Sequence, residues 1–304
     1  MNQSIMAQLA AELDAQLALA AQFDEAPQPE QPPAEEPPAS PEQVISQELE
    51  AELPVPPRNF LESDQSTRYK GADWFEKIRR QKSVVIGAGG IGSWVVYFLA
   101  RASIGMITVY DGDIVDTVNL AGQLYRTKDL GHFKVDALRE IVMEYAPTLQ
   151  GCFYSDFYVN EPLDKITIAA LDSMRARRLV FDNWVAQTKG LPKEEKSKWL
   201  FVDGRMSANS FQVFVFRASQ EDKIKMYDKK CLFDDSLADA TACSFKATSH
   251  IGGGIGSYIM SLVQEHLHLE DDGMFETNIK FFNEFDTSFG TTLKQQKTWQ
   301  YRKA

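Results

Sequence analysis

A strand-length run, Ser83-Val84-Val85-Ile86, passes straight into Gly87-Ala88-Gly89-Gly90-Ile91-Gly92, and Trp94 to Ala102 then carries apolar residues at helical spacing. Glycines between a buried strand and a helix let backbone amides approach a phosphate at the positive end of that helix. Such a unit constrains the whole domain, because a strand, a crossover helix and a second strand pack as a parallel sheet. The second strand, Met106 to Tyr110, ends in Asp111-Gly112-Asp113. Asp111 stands 24 residues after Gly87, where a carboxylate accepts hydrogen bonds from ribose hydroxyls. To this point NAD and ATP fit equally well.

A helix is expected after Lys134, and strands over Ile166 to Leu171 and Trp199 to Val202. Phe211 to Phe216 alternates like an edge strand. Gly252-Gly253-Gly254-Ile255-Gly256 reads as a close-packing turn opening a helix over Ser257 to Leu267, with a phosphate cradle as the alternative. Phe275 to Phe289 reads as strand and core. The expected fold is α/β and Rossmann-like: a mostly parallel sheet with helices on both faces and an antiparallel extension in strand region 274–293.

Residues 1–57 form a separate arm. They hold eleven of the 43 acids and none of the 32 bases, leaving 32 of each sign in the rest. Ten of the 13 prolines fall between Pro27 and Pro57, a composition that cannot bury a core, so this stretch is expected to be disordered. Before it, Met6, Leu9, Leu13, Leu17, Ala20 and Phe23 fall on one face of a helix over 3–23, either a docking peptide or a solvated helix. Residues 58–304 form the globular domain. Its neutrality argues against a nucleic-acid surface. Three widely spaced cysteines, no signal-peptide pattern and no bilayer-length apolar run point to the cytoplasm, with no membrane association.

The blocks after the glycines decide between nucleotides. Asp111-Gly112-Asp113-Ile114-Val115-Asp116-Thr117-Val118-Asn119-Leu120-Ala121-Gly122-Gln123, then Asp129-Leu130-Gly131-His132-Phe133-Lys134, then Leu171-Asp172-Ser173-Met174-Arg175-Ala176-Arg177, closely resemble the ThiF/MoeB/HesA family, relatives of the ubiquitin-activating enzymes. Asp203-Gly204 sits where that family has a glycine-containing turn. The resemblance implies ATP-dependent adenylation of a C-terminal carboxylate, usually the glycine of a small ubiquitin-like or sulfur-carrier protein, in a homodimer. It implies cofactor contacts from Gly87, Gly89, Gly90, Gly92, Asp111, Asp113, Asn119, Gln123 and Lys134, with Mg2+ on Asp172. Growing charge on the phosphates requires such cations. Taken singly, Lys134 is also readable as a solvated lysine at a helix start, and Asp172 as a helix N-cap. Asp113 and Asp116 are also readable as turn-shaping residues.

The chain departs from the family pattern in several places. Gly122 replaces an arginine beside Gln123, and Arg126 is the candidate stand-in. Arg68 is the nearest match to an N-terminal arginine that reaches a partner's nucleotide. Cys231, in the polar stretch Tyr227 to Ala240 beside Lys229 and Lys230, is the candidate acyl acceptor, expected exposed and partly ionised; Cys243 is expected to be buried. Paired Cys-x-x-Cys motifs are absent, so no structural zinc is expected. Two rival readings follow, a nucleotide-binding scaffold without turnover and an NAD-dependent oxidoreductase.

Overall fold

The structure, a computed structural model, describes residues 69, 71–234 and 248–286, and the backbone of 292–296. The expected arm and its helix, Arg68 and Cys243 lie outside the described residues.

Helix α1 (Asp73–Ile78) seats Phe75 and Ile78 in the core. In β1 (Lys82–Ile86), Val84 and Ile86 join the apolar layer on one side of the sheet and Val85 the layer on the other, the period-two alternation of a strand buried on both faces. Then come α2 (Gly92–Arg101), β2 (Met106–Tyr110), α3 (Lys134–Tyr145), β3 (Gln150–Tyr154), β4 (Ile166–Ala169), α4 (Met174–Thr188), α5 (Lys193–Lys196) and β5 (Leu200–Met206). The chain continues with β6 (Ser210–Arg217), α6 (Glu221–Met226), α7 (Ser249–His268), α8 (Asp272–Asn278), β7 (Phe282–Asp286) and β8 (Thr292–Gln296). The sheet order is β3-β2-β1-β4-β5-β6-β7-β8, parallel through β5 and antiparallel beyond it. Because β1 lies between β2 and β4, the chain leaves it in opposite directions, opening a crevice at the carboxyl ends of β1 and β4.

One face of the sheet is aliphatic and packs Val95, Leu138, Ile255 and Ile259. The other is aromatic, with Trp184 of α4 at 5.3 Å from the Phe201 ring and 5.7 Å from the Phe216 ring. No helix among the described residues is long and apolar enough to cross a membrane.

Several sequence expectations change. β6 is not an edge strand, since β7 pairs with it on the side away from β5. Asp203-Gly204 lies inside β5 rather than in a turn. Phe275 belongs to α8, and strand resumes only at Phe282. β3 carried no strand signal of its own; pairing with β2 makes it the sheet's edge. Gly252 to Gly256 lie within α7, which begins at Ser249. Their purpose is close packing, as expected, but of helix on helix: a Cβ on Gly256 would stand 2.7 Å from Trp94 Cβ and 3.0 Å from its carbonyl carbon.

Arg217 ties the antiparallel half together. Its Nε donates to His266 Nδ1 at 3.1 Å, while other guanidinium N–H groups reach the Leu269 carbonyl at 2.6 Å and Asp272 at 3.1 Å. Nδ1 accepts here, so a protonated ring would aim a second N–H at a cation. Burial first, and then the Arg217 charge, hold His266 down to about 3.

Gly256→Ala is expected to destabilise the fold by about 1–3 kcal/mol through overpacking, although alanine normally improves a helix by ~1 kcal/mol. Gly254→Ala, where the new Cβ meets only Phe211 at 3.6 Å, should stabilise instead, and urea denaturation of both variants checks the difference. For His266, the unfolded state binds the extra proton between about pH 6.5 and 3, so stability falls as pH drops through that window. His266→Gln should flatten that slope relative to the parent chain in pH-dependent unfolding.

Candidate active site

The turn after β1 is folded tightly over the crevice. Gly87 adopts φ +95°, and a Cβ there would overlap the Ala170 carbonyl at the end of β4. Beyond it, the amides of Gly89, Gly90 and Ile91 have no acceptor among the described residues, at the N-terminus of α2. Unsatisfied donors at the positive end of a helix form an anion cradle.

Asp111 lies buried beside this cradle at the end of β2. Its Oδ2 accepts the Ala88 amide at 2.6 Å and its Oδ1 the Asp113 amide at 2.9 Å. Burial pushes its carboxyl above the usual range, against the pull of the Lys134 charge and the two amides. Lys134, the first residue of α3, is only 6% exposed, and its Nζ lies 2.7 Å from Asp113 Oδ2. It is therefore not a solvated helix-start lysine. The site holds a buried ammonium beside two carboxylates.

Between these elements runs the loop that carries Asn119 and Gln123. Asp116 and Asn119 form a reciprocal cap, with Asn119 Oδ1 accepting the Asp116 amide at 2.8 Å, so Asn119 orders the loop with its acceptor and keeps its NH2 free for other partners. Gln123 Oε1 is buried and has no partner among the described residues. Gly122 is buried, and its carbonyl accepts from Trp94 Nε1 at 3.1 Å. Arg126 is spent on acids: Nη2 lies 2.9 Å from Asp129, Nη1 2.6 Å from Glu144, and Glu140 follows at 3.2 Å. Its bond to Asp129 holds Arg126 above its usual range; burial would raise Asp129, but Arg126 outweighs it and lowers that carboxyl.

Asp172 follows β4 on the far side of the cradle. It is exposed, and its carboxylate has no partner among the described residues. Ser173, not Asp172, caps α4, its Oγ accepting the Ala176 amide at 3.3 Å.

A buried ionic network beneath Asp172 was not anticipated. Arg177 and Asp203, 4% and 0% exposed, form an ion pair, and Arg177 also donates to the carbonyls of Leu171 and Gly204. Arg205 Nε and Tyr227 Oη meet Asp203 at 2.8 and 2.9 Å. The network fixes the strand end that presents Asp172. Arg177 and Asp203 stand in the family-like blocks, but the sign of their burial in the sequence is a charge directly after the apolar run Phe201-Val202. Arg205 also binds the Cys231 carbonyl at 2.8 Å, which corrects the expectation for that cysteine. Cys231 is wholly buried in the aromatic layer although Lys229 and Lys230 beside it are exposed, and burial pushes its thiol up to about 12. Neither access nor ionisation suits it to accept an acyl group.

The sequence model of the ThiF family matches residues 63–299. The chain belongs to the ThiF family. Similar curated proteins include the adenylyltransferase and sulfurtransferase uba4 of Aspergillus niger, 40% identical over 72 residues, covering 23% of this chain and 15% of the relative. Another is the probable adenylyltransferase/sulfurtransferase MoeZ of Mycobacterium tuberculosis, 30% identical over 105 residues, covering 32% of this chain and 27% of that one. The matched segments thus span under a third of either relative. Among solved structures, Escherichia coli MccB with AMPCPP and MccA superposes with a TM-score of 0.57 at 14% identity, covering 79% of this chain and 73% of that one. PaaA gives 0.56 at 13% identity over 99% and 88% of the two chains. Escherichia coli TcdA in complex with ATP gives 0.50 at 18% identity over 67% and 92%. These share the ThiF-type fold.

Alkylation of the folded protein at pH 8, mapped by peptide mass, should leave Cys231 unmodified and label half-buried Cys152. In urea both should react. Labelling of native Cys231 would contradict its burial.

Proposed function

We propose that this ThiF-family chain is an adenylyltransferase that activates the C-terminal carboxylate of a small ubiquitin-like or sulfur-carrier protein with ATP. The observation that carries the reading is that unpaired turn amides after β1, buried Asp111 and Lys134 beside them, and Asp172 after β4, without a partner among the described residues, stand at the carboxyl ends of neighbouring strands. The names of the uba4 and MoeZ relatives, and the ATP in the TcdA complex, agree with it.

In the reaction, a carboxylate oxygen of the carrier forms a bond to the α-phosphorus. The bond from that phosphorus to the bridging oxygen breaks, and its electron pair leaves with pyrophosphate. The turn amides would hold phosphate oxygens, and Asp111 would accept ribose hydroxyls with the lone pairs its two amide bonds leave. Lys134 has three N–H donors and uses one on Asp113, so it can steady the growing phosphate charge without leaving its carboxylate. The side-chain NH2 groups of Asn119 and Gln123 would donate to further phosphate oxygens.

A magnesium ion fits Asp172. Mg2+ commonly takes one or two carboxylates and completes its shell with phosphates and water, and among the described residues no three His, Cys, Asp or Glu side chains gather into a protein-only metal site. When bound, the ion would neutralise phosphate charge. We further propose a cytoplasmic homodimer in which Arg68 of one copy reaches the other's nucleotide.

A second reading is favoured by one observation. Gly122 brings no charge, and Arg126 is tied to three acids, so the cation expected beside Gln123 is missing from its place. A chain that binds nucleotide without turnover would look the same.

Exchange of labelled pyrophosphate into ATP, driven by carrier proteins ending in Gly-Gly, separates the two. Adenylation predicts exchange that falls about 100-fold or more in Asp172→Ala and in Lys134→Ala. ATP binding with no exchange across a broad carrier panel would leave the scaffold reading standing.

A further inference from the structure

We propose that Tyr125, with Ser93 as its companion, is a positioning residue of the phosphate cradle, acting through the turn's carbonyls. The inference rests on the nucleotide reading of the site. Tyr125 is 6% exposed, and its hydroxyl donates to the Ala88 carbonyl at 2.6 Å. Ser93, 0% exposed, donates to the Gly89 carbonyl at 2.7 Å and accepts the Leu124 amide at 3.2 Å. Two consecutive turn carbonyls are thus each bound by a hydroxyl, one from α2 and one from the loop that carries Gln123; the Gly89 carbonyl also accepts the Ser93 amide at 3.1 Å, whereas the Ala88 carbonyl relies on Tyr125.

The arrangement matters because a peptide unit is planar, so the direction of a carbonyl sets that of the amide bonded to it. The Ala88 carbonyl shares its peptide with the Gly89 amide, and the Gly89 carbonyl shares its own with the Gly90 amide. Tying both carbonyls fixes two of the three unpaired amides. From the other side, Asp111 takes the Ala88 amide. Glycine permits many backbone directions, and without the Tyr125 tie the peptide between Ala88 and Gly89 could turn over and aim its carbonyl lone pairs at an anion.

Tyr125 also keeps its proton. Burial, and then the charges of Asp111, Asp129 and Asp113, hold its hydroxyl well above the ordinary tyrosine range. The same hydrogen bonds dock Gln123 onto the cradle, because Leu124 and Tyr125 follow it directly and the Gly122 carbonyl before it is bound by Trp94.

Tyr125→Phe keeps the ring and removes only the donor. The test measures binding of ATP, inorganic triphosphate and adenosine to the full chain by calorimetry, for the parent, Tyr125→Phe and Ser93→Ala. A positioning role predicts ATP and triphosphate binding about tenfold weaker in Tyr125→Phe, and weakened to a smaller degree in Ser93→Ala, where the Ser93 amide still holds the Gly89 carbonyl, with adenosine unchanged in both. A merely structural role would lower thermal stability and leave the ATP-to-adenosine affinity ratio at its parent value, which overturns the proposal. If Tyr125→Phe does not fold, Ser93→Ala decides by the same ratio. A parent chain that binds neither ATP nor triphosphate overturns the nucleotide reading itself, and this proposal with it.

Discussion

The site depends on close approach of backbone to backbone. The turn after β1 lies against the end of β4 at Gly87, and α7 lies against that same turn, where a Cβ on Gly252 would stand 2.7 Å from the Gly90 carbonyl. Side chains at these points would force the strand, the turn and the two helices apart. Core packing at crystal-like density transmits such a shift instead of absorbing it. The crevice, its unpaired amides and the spacing between Asp111 and Asp172 all follow from that contact.

Electrostatics then sorts the charged residues into those facing the crevice and those facing away. Lys134 is buried but paired with Asp113, so its desolvation is offset by a carboxylate that stays partly open to solvent. Arg177, Asp203 and Arg205 are sunk beneath the site and support the strand end that presents Asp172. In such a network the loss of one partner costs about 3–5 kcal/mol, because the other charge remains buried. Arg126 is taken up by Asp129, Glu140 and Glu144. Its acids on α3 are a turn or more along that helix from Lys134, so one helix both holds the site's ammonium and takes up Arg126.

Much of this was legible in the sequence where the signal is local. The strand, glycine turn and helix, the acid ending β2 and the start of α3 at Lys134 each depend on neighbours in the chain, and each lies where the spacing had it or within two residues. Non-local features were not legible. The Gly252–Gly256 run reads as a turn because glycine disfavours helix, yet the helix persists because Trp94, far away in sequence, needs that surface bare. Cys231 reads as exposed because its neighbours are lysines, yet α6 ends in a turn that puts Tyr227 and Cys231 on the aromatic layer and the lysines outside. Tyr125 and Ser93 look like ordinary residues until the loop docks on the glycine turn.

The sequence by itself determined the family, the mostly parallel sheet and the residue types offered to a nucleotide, since these rest on short-range periodicity and ordered blocks. Only the tertiary structure decided which of those groups are spent on one another and which still have lone pairs or protons to give. That division depends on burial and on partners brought together across the sheet, and no spacing along the chain encodes it.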